Sequence, residues 1–230
     1  YIENLEWRSN PTTFTYKINE NDDNKKTESI ENISEFGINN ENIYKRFRVN
    51  IERSQTVTSY LQKTKTPEWK SEMIFLHLLI SGSANLYSYA DGNITKYFFE
   101  TKNMPVEQLV YIRYITGNGN NDERILENNY FRQQLSNLVK CDNMTDKDFE
   151  NLEYNKNALV KHFARYNACS TDNMESTTKN YDAINEGKKD AFGLSSVQFL
   201  PVERDNAASR IEHQRKELMK PRPSVKAGRP

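Results

Sequence analysis

The clearest pattern of hydrophobic and polar positions lies in the middle of the chain, from Met73 to Glu100, MIFLHLLISGSANLYSYADGNITKYFFE. Between Met73 and Ile80 both alternating sets of positions are largely apolar, which is typical of a strand that is covered on both faces. Two turn sequences, SGS and DGN, separate this segment from residues 84–89 and 94–99, which are rich in aromatic and β-branched residues. The pattern predicts three consecutive strands, of which the first is central in a sheet.

Alternating positions predict further strands on both sides of this region. Before it, residues 13–18 and 44–53 alternate polar with apolar positions, and residues 29–38 fit either a strand or a short helical turn that precedes one. After it, residues 109–115 form another apolar run, which the loop GNGNN follows. A short helix is expected from Ser54 to Leu61, because serine is a favoured N-cap residue.

From residue 122 the apolar period lengthens from two to about 3.6, which predicts helices. One helix is expected over residues 122–139 and a second over residues 157–168, and the sequence TDKD at 145–148 resembles a capping box for a short helix between them. Strands first and helices last indicate an α+β fold rather than a doubly wound sheet. We therefore predict a mainly antiparallel sheet from the N-terminal two-thirds of the chain, packed by two C-terminal helices.

Charge divides the chain into two parts, although its net charge is zero. Residues 188–230 contain ten Lys and Arg against five Asp and Glu, so this segment carries +5 and residues 1–187 carry −5. We expect an α+β domain over residues 1–170 and, over residues 171–230, a polar linker with an irregular basic tail that is disordered or partly helical. No run of about 18 apolar residues occurs, so the sequence predicts no membrane-spanning helix.

The candidate patterns for catalysis and ligand binding are weak. The loop GNGNN lacks the Lys and the Ser or Thr of a phosphate-binding loop, and two acidic residues that repel phosphate follow it. Cys141, His162 and Cys169 are too few for a structural zinc site, and the acidic segment 142–150 lacks the spacing of a calcium loop. His77, in an apolar strand, is expected in the core, and His162 at the surface. We predict no catalytic residue, no cofactor and no metal ligand.

Two features are candidates for binding a partner. Tyr87, Tyr89, Tyr97 and Phe99 form an aromatic ladder, which we interpret either as a partner surface or, more simply, as packing beneath the two helices. The basic tail offers contact with nucleic acid, but it lacks interleaved aromatic residues for base stacking, and the body of the chain is acidic. Nucleic acid is therefore the weaker candidate partner.

Seven blocks, in order along the chain, carry a family resemblance: IENLEWRSNPTTFTYKINE, ISEFGI, YKRFRVNIERS, FLHLLISGSANLYSYADGNITKYFF, EQLVYIRYI, NNYFRQQLSNLVKC and ALVKHFARYNAC. Together they resemble an uncharacterised family of Bacteroidota cell-envelope proteins, in which a signal peptide precedes a mixed α+β domain and a PorT-like outer-membrane β-barrel follows it. The resemblance covers residues 1–169. The family's signal peptide and first strand are missing before Tyr1, which indicates a removed targeting segment or a fragment, and the chain after Cys169 is too short to supply the family's barrel strands.

The resemblance implies export, a periplasmic or outer-membrane-associated location, and a disulfide between Cys141 and Cys169. Together with the lack of a catalytic constellation in the sequence, it leads us to expect a non-enzymatic domain that binds an envelope protein or supports an outer-membrane barrel. The alternative is a cytosolic adaptor whose basic tail contacts nucleic acid, and in that protein the two cysteines would be separate buried thiols.

Overall fold

The structure is a computed structural model that describes residues 9–18, 23–38, 42–117, 122–169, 179–180 and 197–201. Its strands are β1 (Thr13–Tyr16), β2 (Lys26–Ser29), β3 (Ile33–Ile38), β4 (Asn42–Glu52), β5 (Trp69–Ser81), β6 (Ala84–Asp91), β7 (Ile94–Thr101), β8 (Met104–Gln108), β9 (Ile112–Thr116), β10 (Arg124–Asn128), β11 (Lys179–Asn180) and β12 (Val197–Pro201). Its α-helices are α1 (Tyr130–Leu138), α2 (Asp146–Glu150) and α3 (Lys156–Cys169). None of these helices has the length and apolar content needed to cross a membrane.

The main sheet is antiparallel, with strand order β12-β3-β4-β5-β6-β7-β8 and the short β11 beside one end of β5. Strands β5 to β8 are neighbours in both sequence and space, because tight turns join them. At the turn between β6 and β7, Gly92 has a φ of 58°, a left-handed conformation that glycine adopts without steric cost. The predicted α+β class and the three central strands are confirmed.

The sheet curls, so that β8 approaches β4. At this seam the side-chain amide of Gln108 accepts a hydrogen bond from the backbone N–H of Glu52 at 2.8 Å and donates one to its carbonyl at 3.3 Å. The inner face of the curl buries one apolar cluster, and the outer face buries two more, one beneath α1–α3 and one beneath the β1–β2 hairpin. The inner cluster contains Val49, Ile51, Ile74, Leu76, Leu78, Tyr87, Tyr89 and Phe98.

The prediction of a helix from Ser54 to Leu61 is wrong. Only a single 3₁₀ turn, Thr58–Tyr60, forms in this segment. The Ser54 hydroxyl contacts the Lys96 ammonium at 3.3 Å instead of capping a helix, and the Gln62 carbonyl accepts a hydrogen bond from the backbone of β9 at 2.9 Å. Tertiary contacts on both sides therefore hold the segment extended.

The first third of the helix expected over residues 122–139 is also wrong, because residues 124–128 form β10 and pair antiparallel with β9. Gly117 precedes this strand with a φ of 120°, and a β-carbon there would lie 2.6 Å from the Asp122 carbonyl oxygen. Of the expected strand 109–115, only residues 112–115 form a strand, within β9, and residues 109–111 connect β8 to it. The capping box at Thr145 and the second long helix are confirmed.

The boundary expected at residue 170 does not hold for the described part of the chain beyond it. Strand β12 pairs with β3, and the Ser34 hydroxyl donates a hydrogen bond to the Leu200 carbonyl at 3.1 Å. Residues 197–201, which the composition of the segment predicts to lie in a linker or tail, therefore form part of the sheet. The basic residues expected to contact nucleic acid, and residues 118–121 of the GNGNN loop, lie outside the described residues.

Candidate functional site

The aromatic ladder is not a surface. Register pairs Tyr87 with Phe98 and Ser88 with Tyr97, so Tyr87 and Tyr89 lie on the inner face of the sheet while Tyr97 and Phe99 lie on the outer face. All four side chains are buried, with at most 6% of their area exposed. Tyr97 packs on Tyr154 at a centroid distance of 5.1 Å, and Phe99 packs on α3. The interpretation of the ladder as a partner surface is therefore wrong. The alternative, packing beneath the helices, is correct for Tyr97 and Phe99 but not for Tyr87 and Tyr89.

The two cysteines lie together, as the predicted pairing requires. Cys141 follows α1 and Cys169 ends α3, with their Cα atoms 6.5 Å apart and their sulfur atoms at disulfide distance. The link therefore ties the ends of the two long helices that cover the outer face. Within the described ranges no group of three or more His, Cys, Asp or Glu side chains is arranged to hold a metal ion.

His162 is buried rather than exposed, contrary to expectation. Its Nε2 lies 3.0 Å from the Val139 carbonyl oxygen, and its ring packs on Phe149 at 5.2 Å. Burial lowers the pKa of His162, and this effect outweighs the hydrogen bond to Val139. The helical period could have predicted this burial, because His162 follows the inward-facing Leu159 by three positions and so lies on the same helix face.

The acidic segment before α3 is explained by local contacts. Asp148 accepts hydrogen bonds from the backbone N–H and hydroxyl of Thr145, at 2.7 and 3.0 Å, and pairs with Arg165 at 3.0 Å. The backbone hydrogen bond from Thr145, followed by that from Arg165, lowers the pKa of Asp148. Asp146 pairs with Lys140 at 2.9 Å. These carboxylates serve helix capping and surface ion pairs.

An ion pair that sequence analysis did not anticipate is buried at one end of the inner face. The Lys96 ammonium lies 2.7 Å from a Glu52 carboxylate oxygen, and their side chains are 1% and 2% exposed. The other carboxylate oxygen of Glu52 accepts the backbone N–H of Ser54 at 2.5 Å. Burial lowers the pKa of Lys96 even though Glu52 opposes this shift. Alternation along β7 puts Lys96 on the same face as Phe98, and this pattern could have predicted that Lys96 is buried.

A groove of about 340 Å³ lies along the seam between β4 and β8, next to the N-terminus of α1. Trp69 and Tyr130 line it and are 45% and 49% exposed. Its base includes Gln108 and Gln134, both buried. The Gln134 amide accepts the Val110 N–H at 2.9 Å and donates to the Gln108 carbonyl at 3.0 Å.

The exposed lining of the groove offers further polar groups. Asn50, Trp69, Glu107 and Tyr130 all line it, and within the described part of the chain their side chains make no hydrogen bond or ion pair. An amide, an indole N–H, a carboxylate and a phenol are therefore available to a ligand. Sequence analysis missed this groove, because it is assembled from four elements, β4, β5, β8 and α1, that are distant in the chain.

Comparison with known proteins gives no family assignment: no protein-family model, curated protein or solved structure matches this chain. The groove, the buried ion pair and the cysteine pair therefore have to be interpreted from their own geometry.

Proposed function

We propose that this chain is an exported, non-enzymatic domain of the bacterial cell envelope that binds an envelope protein or supports an outer-membrane barrel. The observation that carries the proposal is the ribbon formed by β9 and β10. Two further observations support it. The cysteine pair is suited to an oxidising compartment, and the ordered blocks of sequence resemble an envelope family.

The β9–β10 ribbon has the features of a protein-binding edge. Among the described strands β10 pairs only with β9, so its other edge carries no neighbouring strand. Ile125 and Leu126 are adjacent and therefore lie on opposite faces, yet they are 42% and 43% exposed. Exposed edges with apolar side chains are sites where an extended segment of another protein adds a strand.

The ribbon is anchored to the domain along its inner side. The Ile115 N–H donates to the Gln62 carbonyl at 2.9 Å, and the Arg113 guanidinium donates to the Thr56 carbonyl at 2.7 Å. A two-stranded ribbon alone is marginally stable, so these contacts hold β10 in place. A partner strand would meet an ordered edge and would bind at a lower entropic cost.

The binding test compares Ile125→Lys and Leu126→Lys with Ile18→Lys, a control at a side chain that is 56% exposed away from the ribbon. Each protein is used as bait for detergent-solubilised bacterial envelope, and the retained proteins are identified by mass spectrometry. We expect the ribbon variants to lose a protein that the parent and the control retain. Identical retention by all four would exclude the ribbon as the binding surface, and a reproducible hydrolase or transferase activity would contradict the non-enzymatic part.

The compartment is tested separately. The intact mass of protein exported to an oxidising compartment is measured after thiol alkylation, with and without prior reduction. We expect Cys141 and Cys169 to resist alkylation until they are reduced. Free labelling of both in the folded protein would contradict export and favour the cytosolic alternative.

A further inference from the structure

We propose that the groove between Trp69 and Tyr130 is a binding site for a neutral carbohydrate. This site goes beyond the proposed function, because it lies at the seam of β4 and β8 and shares no lining residue with the β9–β10 ribbon. It combines exposed aromatic rings, unengaged polar side chains and a floor held by hydrogen bonds. Sugars require all three properties, since each ring has apolar C–H faces and a polar rim of hydroxyl groups.

The aromatic side chains supply the apolar contact. Trp69 begins β5 and Tyr130 begins α1, so two different elements present rings to one groove. Each residue leaves about half of its area uncovered, although burying such a side chain would stabilise the fold. Aromatic rings that combine an apolar face with a polar tip suit a ligand that is itself amphipathic.

The polar side chains supply the directional contacts. The Asn50 amide donates and accepts, the Glu107 carboxylate accepts, and the Trp69 indole N–H donates. Planar amide and carboxylate groups can each bind two adjacent hydroxyl groups. None of these side chains makes a hydrogen bond or an ion pair with another described residue, so a sugar would not have to displace an internal hydrogen bond.

The floor of the groove is fixed before any ligand arrives. Gln108 is held by the backbone of Glu52, and Gln134 is held by the backbones of Val110 and Gln108. Because these contacts immobilise both amides, these two side chains have little conformational entropy left to lose when a ligand binds. An extended peptide is disfavoured as the ligand. Gln108 already bonds the backbone N–H and carbonyl of Glu52, and Pro105 has no backbone N–H that could pair with an added strand.

Size and charge limit the ligand further. The volume of about 340 Å³ is near the lower end for small-molecule sites, which suits one or two sugar rings. Glu107 is the single charged side chain among the described residues of the lining, and neither Lys nor Arg lines the groove. An anionic ligand such as nucleic acid would therefore meet no counter-charge.

The test uses the fluorescence of Trp69 in the full, disulfide-bonded chain. The chain contains two tryptophans, so Trp7→Phe leaves Trp69 as the only reporter. The probes are chitotriose, cellotriose and maltotriose, titrated to about 10 mM, because isolated sugar sites commonly bind near the millimolar range. We expect a saturable blue shift with at least one trisaccharide. The absence of a saturable response to all three would overturn the proposal.

Variants then place the binding in the groove, with calorimetry as the readout because Trp69 is itself changed. Trp69→Ala and Tyr130→Ala should each weaken binding at least tenfold, whereas Tyr60→Ala, at a side chain 64% exposed outside the groove, should leave it unchanged. Retained affinity in both groove variants would overturn the assignment. Thermal unfolding of each variant confirms that it is folded, which is expected for substitutions of half-exposed side chains.

Charge separates a sugar from a cationic ligand. Glu107→Gln keeps a planar hydrogen-bonding group and removes the charge, so affinity for the trisaccharide should fall less than about tenfold, as expected when a charge-assisted hydrogen bond becomes a neutral one, and added salt should have little effect. A loss of more than tenfold, or a strong dependence on salt, would contradict a neutral ligand. Ile125→Lys should bind the trisaccharide as the parent does, so this proposal and the envelope-partner proposal can fail independently.

Discussion

The two faces of the curled sheet are stabilised in different ways. The inner face surrounds polar groups, among them the Lys96–Glu52 pair and a hydrogen bond from the Tyr87 hydroxyl to Glu100. The outer face beneath the helices is a continuous apolar cluster whose cover is tied by the Cys141–Cys169 pair. The inner face thus places an ion pair that needs both partners beside its apolar cluster, whereas the outer face has a larger apolar cluster, neutral polar contacts such as those of Asn167 to the Ala84 backbone, and one covalent link. Loss of one group should be most costly on the inner face.

The largest effect is expected from the buried ion pair. Lys96→Met leaves the Glu52 carboxylate in a dry site without its counter-charge, which should destabilise the protein by about 3–5 kcal/mol. Chemical denaturation measures the change, and Lys70→Met, at an exposed position on β5, serves as the control.

The double variant Lys96→Met with Glu52→Leu sharpens the interpretation. Removing both charges should recover much of the lost stability, because the penalty comes from the unpaired carboxylate rather than from a lost attraction. If the double variant were as unstable as the sum of the two single variants, the inner face would depend on shape rather than on charge pairing.

The outer face should respond next most strongly, through its covalent link. The bond closes a segment with a sequence separation of 28 residues, so replacing both cysteines by alanine should cost about 3–4 kcal/mol in the chain-entropy description. Reduction of the parent protein should produce a similar loss in denaturation experiments, and it should leave the alanine variant unchanged. Equal stability of the oxidised and reduced parent would contradict this role of the bond.

A smaller effect is expected at the start of α2, in the same helical cover. Thr145→Ala removes a capping box in which the Thr145 side chain and Asp148 satisfy backbone N–H groups, and it should cost about 1 kcal/mol. Asn137→Ala, at an exposed position of α1, is the control and should be neutral or slightly stabilising because alanine favours helix. Equal effects of the two substitutions on the unfolding midpoint would exclude a specific capping contribution.

The smallest effect is a dependence on pH that arises from His162. Because its pKa in the folded protein lies below the ordinary value of 6.5, the unfolded chain binds the proton more readily. The stability contribution is therefore present above about pH 6.5 and is lost as the pH falls through the lowered pKa. His162→Gln can still donate a hydrogen bond to the Val139 carbonyl. Its melting temperature should change less between pH 7.5 and about pH 5 than that of the parent protein. An unchanged pH profile would exclude His162 as its source.

The elements of the fold also differ in how well the sequence predicted them. Strands β5, β6 and β7 were predictable because their pattern and turn residues are local, as was α3 from its helical period. Strand β10 was not, since ILENNYFRQQL fits a helical period and only pairing with β9 makes its first residues a strand. The strand β12 pairs with residues more than 150 positions earlier, and no local pattern reports such a contact.

The candidate sites were predictable to a lesser degree. The cysteine pair followed from a family resemblance, and its geometry is compatible with that expectation. The groove was not predictable, because Asn50, Trp69 and Tyr130 meet only through the curl of the sheet. Likewise, the interpretation of the aromatic ladder as one partner surface fails, because alternation and register divide it between two faces.

The pairing of β12 with β3 has a consequence for biosynthesis. The outer edge of β3 emerges early during translation, whereas its partner at residues 197–201 is made more than 150 residues later. During that interval the nascent chain presents an unpaired strand edge, which is prone to intermolecular pairing. A secretion pathway that delays folding until the whole segment has crossed the membrane would protect it. A polypeptide cut at residue 170 would keep this edge open for its whole lifetime.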